Sequence, residues 1–415
     1  MENNLLSVWG TIGSVLLAIL MLLVMITIHE FGHYIAGKIF HFKINEFSIG
    51  FGPALFKRKS KKTGELFAIR LIPLGGYCAF DGEDGLEEEP TPKKKRKKDE
   101  EEQVFADLAP AEPEASAPVE EIKPVKKELH PDAFTNKKPW QRIIVLIAGA
   151  LMNYLLALFM ILVGFFGYGQ SMIAVWKMDA PTEEYRAEYS LQDLDIMLEA
   201  DGRSLYLTTD IAKAVNGKHK GDMVEMKISR VVGKTEDDKN IREEITVSIM
   251  LREDVNVKNS ADFNCVWRAL GMDNEDGVEQ LATTYYKFGF FETLGRSFVY
   301  SFKIAGSIFK VIGELLTGQL GIAALGGPVT TISMTSQMVS RGFRAFLEIG
   351  SFIGVNLAVF NLLPIPALDG SKVVFTAIEW VRGKPISRKI EAIIHAVGFV
   401  LLLGFAVLVD LLQFI

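Results

Sequence analysis

Residues 9–33 read WGTIGSVLLAILMLLVMITIHEFGH, an uncharged apolar stretch followed at once by two histidines and a glutamate. An α-helix needs about 20 apolar residues to cross the roughly 30 Å of hydrocarbon in a bilayer. The stretch from Trp9 to Ile28 meets that requirement. It has no basic leader and no small-residue cleavage site, and His29 and Glu30 follow it directly. We therefore predict a membrane span and not a cleaved signal peptide.

Three further stretches of the 415-residue chain are long and nearly free of charge. They run from Ile143 to Tyr168, from Phe346 to Leu363 and from Ile393 to Val409. Together with the first stretch, they predict a polytopic α-helical membrane protein with four transmembrane helices. We place these helices within residues 1–41, 137–169, 344–381 and 387–415.

The charges of the connecting segments predict how the chain crosses the membrane. Basic residues gather after the first span (Lys57 to Lys62), before the second (Lys137 to Arg142) and between the third and fourth (Arg382 to Lys389). By the positive-inside rule these loops lie in the cytoplasm, so both termini and the long region between the second and third spans lie outside. This topology places Cys78 and Cys265 on opposite sides of the membrane, where they cannot pair.

Two regions of different composition follow the first span. Residues 42–82 alternate apolar and polar side chains around several glycines, which predicts a membrane-associated β-hairpin. Residues 83–136 are rich in Glu, Lys, Ala and Pro, which predicts a disordered, charged cytoplasmic loop. The basic run Lys93–Lys98 can bind anionic lipid or nucleic acid, but the acidic blocks on both sides favour a solvated linker. We predict no nucleic-acid partner.

Residues 170–260 have the pattern of a small extracytoplasmic α/β domain. Two alternating runs, Met223–Val232 and Glu244–Leu251, predict a β-hairpin, and Asp210–Asn216 predicts a short helix before it. The segment Ser190–Gly202 resembles the signature of PDZ domains without two of its usual glycines. A generic β-rich spacer is the alternative interpretation.

Residues 285–343 are apolar but interrupted by charge. Lys303, Ser307, Lys310 and Glu314 are spaced three or four residues apart and so share one helical face. This pattern predicts amphipathic helices that lie on the outer membrane surface. A fifth crossing is the alternative, but it would put the two termini on opposite sides, against the charge pattern.

The segment His29-Glu30-Phe31-Gly32-His33 is an HExxH motif. Residues four apart lie on one face of a helix, so His29 and His33 can bind one Zn²⁺ ion. Glu30 lies beside them and can act as the general base towards a metal-bound water. The alternative is that these side chains only reach for the membrane interface. Ionisable groups at the end of a span are costly, however, and three together indicate a binding partner.

Two histidines leave a catalytic zinc ion one protein ligand short. The segment Asn361–Gly370, with the sequence NLLPIPALDG, ends the third span and supplies a candidate. Pro364 and Pro366 cannot continue a helix, and non-helical backbone at membrane depth is tolerated only where it lines a protein cavity. This opening brings Asp369 to the depth of the histidines as a third ligand; the alternative is that Asp369 caps the next helix. His395 in the fourth span is predicted to be a packing residue rather than a further ligand.

The two motifs together resemble the site-2 proteases, a family of intramembrane zinc metalloproteases. The resemblance rests on the HExxH of residues 29–33 and on the NxxPxPxLDG of residues 361–370, and shorter segments extend it over nearly the whole chain outside the charged loop. Within this family the chain is similar to bacterial regulator-of-sigma-factor proteases that carry extracytoplasmic PDZ domains. It departs from the family at Ser371-Lys372, where Gly-Arg or Gly-His is usual.

The resemblance implies regulated intramembrane proteolysis in the inner membrane, with the active site near the cytoplasmic side. The substrate would be a single-pass membrane protein, such as an anti-sigma factor, that an upstream site-1 protease has already trimmed. The PDZ-like domain would exclude substrates with bulky outer domains, and the β-hairpin would pair with an unwound substrate in contact with membrane lipid. The residues implied for zinc binding, catalysis and substrate binding are, in that order, His29, His33 and Asp369; Glu30; and Asn361, Pro364 and Pro366.

A second hypothesis is a protein with the same scaffold but without proteolytic activity. The same motifs suit a protein that binds zinc and holds membrane peptides without cutting them. The intact Glu30 favours the enzyme, because a binding module has no need of a general base.

Overall fold

The structure is a computed structural model that describes residues 2–83, 130–176, 178, 183–257, 264–272, 281–322 and 325–413. Most of the predicted charged loop, residues 84–129, lies outside the described residues. The helices are α1 (Glu2–Ile39), α2 (Pro139–Tyr168), α3 (Thr208–Val215), α4 (Asn264–Ala269), α5 (Phe290–Leu316), α6 (Pro328–Val339), α7 (Phe343–Leu362), α8 (Asp369–Arg382) and α9 (Arg388–Leu412). The strands are β1 (Ile44–Lys59), β2 (Leu66–Phe80), β3 (Gln170–Val175), β4 (Ile196–Ala200), β5 (Arg203–Ser204), β6 (Met223–Lys234), β7 (Asn240–Met250) and β8 (Leu281–Tyr286).

Four of the described helices are long and apolar enough to cross a membrane. They comprise Gly10–Ile39 of α1, Pro139–Tyr168, Phe343–Leu362 and Lys389–Leu412. These are the four predicted spans, and α5 is not among them. The third agrees with the predicted apolar stretch Phe346 to Leu363: the chain leaves helical geometry after Leu362, and the separate helix α8 begins at Asp369.

Small residues set the packing of the long helices. A Cβ atom built on Gly32 of α1 would lie 2.3 Å from the carbonyl oxygen of Ala148, so the backbones of α1 and α2 touch there. Gly354 of α7 meets Ala157 of α2 in the same way. Without a hydrophobic driving force between helices in lipid, such close contacts supply the van der Waals attraction that holds the helices together.

Contacts along the helices show that neighbouring spans run in opposite directions. Met21 of α1 clusters with Met160 of α2, far from the Gly32–Ala148 contact, so these two helices are antiparallel. Further contacts join the start of α1 to α6 and the end of α9 to the start of α6. The hairpin and α8 therefore lie at one end of the bundle, and the second sheet lies at the other.

The strands β1 and β2 form the predicted antiparallel hairpin directly after α1. The base of the hairpin is held by a buried cluster that includes Phe42 and Phe80, together with Phe134 from the segment before α2. The amide of Phe134 donates to the carbonyl oxygen of Asp81 at 2.7 Å, and the amide of His130 donates to the Asp81 carboxylate at 3.2 Å. Asp81 and the segment His130–Phe134 therefore lie side by side.

The second sheet is antiparallel, with the order β7-β6-β4-β3-β8 and with β5 paired to β4. Its predicted hairpin is confirmed as β6 and β7, and the predicted short helix is confirmed as α3. Strand β8 pairs along the whole length of β3, so the sheet extends beyond residue 260, where the predicted domain ended. A strand that joins an edge from far along the chain leaves no local pairing signal in the sequence.

Helix α5 connects the second sheet to the membrane helices. Its buried Ile304 packs with Ala157 of α2 and Val355 of α7. On the predicted polar face, Lys303 forms an ion pair of 2.8 Å with Asp210, whose carboxylate also accepts from backbone amides at the start of α3. The sheet region and the helix bundle are thus joined by a buried charge contact as well as by the chain.

Candidate metal centre

Two histidines on the last turns of α1 form the base of the site. His29 and His33 are four residues apart on one helix face and are both buried. Their Nε2 atoms lie 3.1 Å apart, and their rings meet edge to face with centroids separated by 4.7 Å. Two imidazole nitrogens this close, inside an apolar bundle, form one half of a metal-binding set.

Asp369 completes the cluster from the opposite side of the bundle. Its Oδ2 atom lies 2.9 Å from Nε2 of His29 and 3.3 Å from Nε2 of His33. Helix α8 begins at Asp369, but the residue at its N-cap position is Leu368. The alternative in which Asp369 caps the helix is therefore wrong, and its carboxylate is directed to the histidines.

The three donor atoms fit a zinc ion. Zinc binds imidazole nitrogen at about 2.0–2.1 Å and carboxylate oxygen at about 2.0–2.2 Å, usually as a tetrahedron. Those bond lengths put neighbouring ligand atoms roughly 3.3 Å apart. The observed separations of 3.1, 2.9 and 3.3 Å are close to that value. Two histidines and one carboxylate leave a fourth position free, as catalytic zinc sites require.

The outer nitrogens of both rings have partners that orient the inner nitrogens. Nδ1 of His33 donates to the backbone carbonyl of Val145 at 2.8 Å, which leaves Nε2 with its lone pair directed to the cluster. Nδ1 of His29 lies 3.4 Å from the side-chain amide of Asn361. Such contacts fix the tautomer and the orientation of metal-binding histidines.

Gly149 on α2 makes room for both rings. A Cβ atom built there would lie 2.4 Å from Nε2 of His33 and 2.8 Å from Cε1 of His29. Any larger residue would push into the place of the donor atoms. No role was predicted for Gly149. The sequence feature that could have indicated one is a glycine inside an apolar span that packs against the HExxH helix.

A cavity of about 260 Å³ opens beside the cluster. Glu30, His33 and Asp369 line it, so a carboxylate outside the donor cluster faces the same space as two members of it. The hairpin supplies one wall: a Cβ atom on Gly76 would lie 3.4 Å from Cγ of Glu30. Lys372 also lines the cavity, together with Glu83, with which it forms an ion pair of 2.7 Å.

Three side chains that could hold a metal ion, a glutamate outside that group and an adjoining cavity are the features expected of a metal-dependent hydrolase. Comparison with known proteins decides which one, since residues 17–405 match peptidase family M50. The chain belongs to peptidase family M50. The resemblance to the site-2 proteases and the prediction of an enzyme are thereby confirmed.

Similar M50 proteins cover almost the whole chain. The zinc metalloprotease RasP of Bacillus licheniformis is 28% identical over 94% of this chain and 96% of its own length. RasP of Oceanobacillus iheyensis is 28% identical over 93% of this chain and 95% of its own length. The regulator of sigma E protease of Haemophilus influenzae is 27% identical over 96% of this chain and 97% of its own length.

The remaining predicted residues of this M50 peptidase are outside the cavity lining. Asn361 is next to His29, and Pro366 packs against Gly398 of α9. Among the described residues that line the cavity, Asn361, Pro364 and Pro366 are absent. His395 is not near the donor atoms; its Nδ1 atom accepts a hydrogen bond from the backbone amide of Ala367 at 3.0 Å.

Proposed function

We propose that this M50 peptidase is an intramembrane zinc metalloprotease that cuts a membrane-spanning segment of another protein near the cytoplasmic face. The observation that carries the proposal is the meeting of His29, His33 and Asp369 at the end of an apolar helix, with Glu30 on the adjoining cavity. The relatives named as zinc metalloproteases support the choice of metal. When bound, zinc supplies a Lewis acid and a water of lowered pKa.

The side chains of the site have separate roles in metal binding and proton transfer. His29, His33 and Asp369 hold the metal, and Glu30 takes a proton from the attacking water and passes it to the leaving amine. Asn361 acts beside His29: its side-chain amide nitrogen lies 3.4 Å from Nδ1, and the flipped amide would instead bring its oxygen there to accept from Nδ1 and keep Nε2 free for the metal. The family resemblance supports a substrate-binding role for Asn361, Pro364 and Pro366; since none of them lines the cavity, we place this contact outside the cavity lining.

The hairpin supports an extended substrate. Tyr77, Cys78, Ala79 and Phe80 of β2 line the cavity. An extended segment can add to the exposed edge of the β1–β2 hairpin through backbone hydrogen bonds. We infer that the substrate segment unwinds before it is cut.

The positive-inside rule supports an orientation in which the hairpin and α8 face the cytoplasm and the second sheet lies outside. In this orientation the sheet region is a PDZ-like domain that hinders substrates with large outer domains. Leu194 supports the resemblance, because its φ of +69° is left-handed, the conformation for which the PDZ signature usually has glycine. The substrate is then a single-pass membrane protein already trimmed by a site-1 protease, and the relative named as a regulator of sigma E protease supports an anti-sigma factor.

The variant Glu30→Gln separates the enzyme from a zinc-binding scaffold. The amide keeps the shape of the side chain but cannot accept the proton, so we expect unchanged zinc content and at least a hundredfold loss of cleavage, the effect of removing a general base. The measurement is gel-based cleavage of a model transmembrane substrate in detergent, with zinc determined on the same sample. Cleavage equal to that of the parent would show that Glu30 is not the base.

A further inference from the structure

The turn between α7 and α8 contains a strained residue close to Asp369. Ala367 has a φ of +77°, which is the left-handed region that residues with a Cβ rarely adopt. Such a conformation persists only when its surroundings hold it in place. Asp369 is two residues further on, so the direction of the peptide at Ala367 decides where helix α8 begins and where its first carboxylate lies.

Helix α9 supplies the contact that holds this turn. The amide of Ala367 donates to Nδ1 of His395 at 3.0 Å. The two prolines have no amide hydrogen, and the amides of Ile365 and Leu368 donate within the turn, whereas the bond to His395 ties the turn to another helix. One turn along the same face of α9, Gly398 lets the helix come close, since a Cβ there would lie 2.3 Å from Cβ of Pro366.

The rest of α9 at this level is exposed. Val397, Phe399, Val400 and Leu401 are each more than half exposed, whereas the face with His395 and Gly398 lies against the turn. The ring of Phe375 from α8 meets the His395 ring edge to face with centroids 5.7 Å apart. His395 thus contacts both the turn and the helix that Asp369 begins.

We propose that His395 is a positioning residue for Asp369: its Nδ1 atom holds the Ala367 peptide in the left-handed conformation and thereby keeps the carboxylate within reach of the two histidines. The inference rests on the proposed function, in which Asp369 is a metal ligand. It goes beyond the packing role predicted for His395 from the sequence. His395 is neither one of the three grouped donor residues nor one of the described residues that line the cavity.

The test compares two replacements of His395 in the full-length protein purified in detergent. His395→Leu removes the acceptor, whereas the side-chain oxygen of His395→Asn can take the place of Nδ1. We expect the leucine variant to lose zinc to a chelator at about 10- to 100-fold lower chelator concentration, the range typical of residues that orient metal ligands. We expect kcat on a model transmembrane substrate to fall with KM nearly unchanged, and His395→Asn to restore both quantities to within a few fold.

A second-site variant tests the conformational part of the argument. Glycine adopts a positive φ without strain, so Ala367→Gly added to His395→Leu should recover part of the zinc retention. The control on α9 is Phe399→Ala, which removes an exposed side chain and should behave as the parent. If His395→Leu does not accumulate, His395→Ala replaces it, because it removes the acceptor without adding bulk to a half-buried position.

The outcomes separate this inference from the proposed function. Equal zinc retention and kcat in the asparagine and leucine (or alanine) variants would show that the hydrogen bond has no positioning role. Asp369→Asn, measured in parallel, examines the ligand set itself. If Asp369→Asn loses zinc while His395→Leu keeps it, the positioning role fails and the metal site stands; if Asp369→Asn keeps its zinc, the ligand set fails first.

Discussion

Gly149 shows that a residue without a side chain can decide whether the metal centre forms. It lies on α2, directly against both imidazoles of the HExxH helix, and leaves no space for a Cβ atom. Its neighbour across the interface, Gly32, allows α1 and α2 to touch through their backbones. The donor geometry therefore depends on helix packing as much as on the ligands themselves.

The substitution Gly149→Ala should weaken zinc binding without unfolding the bundle. Overpacking a tight contact costs about 1–3 kcal/mol, so we expect zinc affinity to fall on the order of tenfold. Gly167→Ala on the same helix is the matched control, because no atom lies within 4 Å of its Cβ position. The measurement is zinc content after dialysis against a chelator; equal loss from both variants would contradict the role given to Gly149.

The substitution Asp369→Asn belongs to the same scale. An amide is a poorer metal ligand than a carboxylate. It is also neutral, so the ligand set would have no negative charge to balance Zn²⁺. We expect the zinc content of the purified protein to fall well below one ion per chain, with far-UV circular dichroism unchanged. Metal stoichiometry equal to that of the parent would remove Asp369 from the ligand set.

At the residue scale, a role was predictable where residues close together in the sequence produce it. His29 and His33 are one helical turn apart, so their meeting follows from helix geometry alone. Asp369 is 340 residues from His29, yet the prolines before it announced an opening at membrane depth. No sequence motif identified the roles of Gly149 and Ala367. Those roles arise from a contact between helices and from a backbone φ angle.

At the scale of elements, the junction between α5 and the second sheet stands out. Lys303 of α5 reaches Asp210, whose carboxylate also accepts from the amides of Tyr206 and Leu207. Burial opposes ionisation of Asp210, but the hydrogen bonds from Lys303 and from these amides hold the pKa of its carboxyl below the usual range. The carboxylate is thus charged at neutral pH and needs its partner.

The substitution Lys303→Met should loosen the sheet region from α5. It removes the nearer ammonium partner of the buried Asp210 carboxylate and leaves only Lys213 at 3.5 Å, a loss of about 1–3 kcal/mol. We expect amide hydrogen exchange in α3 to become at least fivefold faster. Lys310→Met is the control, because Lys310 pairs with Glu314 inside the same helix and not with the sheet. Equal exchange rates in both variants would contradict the proposed junction.

Elements in which apolar and polar residues alternate were predictable, whereas the edge strand β8 of the second sheet was not. The hairpins β1–β2 and β6–β7 alternate apolar and polar residues around polar turns, and both were predicted. Strand β8 was missed because its pairing partner β3 lies about 110 residues away in the chain. The end of the third span was predictable as well, because Pro364 and Pro366 cannot continue the helix that ends at Leu362.

On the scale of the whole molecule, the alternation of helix directions agrees with the charge pattern. The basic turn of the β1–β2 hairpin lies at the opposite end of the bundle from the second sheet. By the positive-inside rule these two regions are predicted to face opposite sides of the membrane. This orientation stays a prediction from charge asymmetry, which is a property of loops and not of packing.

Cysteine labelling tests this topology in intact cells. In a background with Cys78→Ser and Cys265→Ser, the single variant Asp237→Cys places a thiol in the exposed turn between β6 and β7. Lys61→Cys places one in the exposed turn between β1 and β2. We expect a membrane-impermeant maleimide to label the first without treatment and the second only after the cells are permeabilised. The reverse pattern would invert the orientation.

The hydrogen bonds that join Asp81 to His130 and Phe134 bring the chain back to the point where it leaves the hairpin. Closing a chain between two neighbouring points costs entropy that grows only with the logarithm of the number of residues. The bonds through Asp81 therefore clamp Asp81 and His130–Phe134 side by side, and the entropy of that closure depends only weakly on how many residues lie between them.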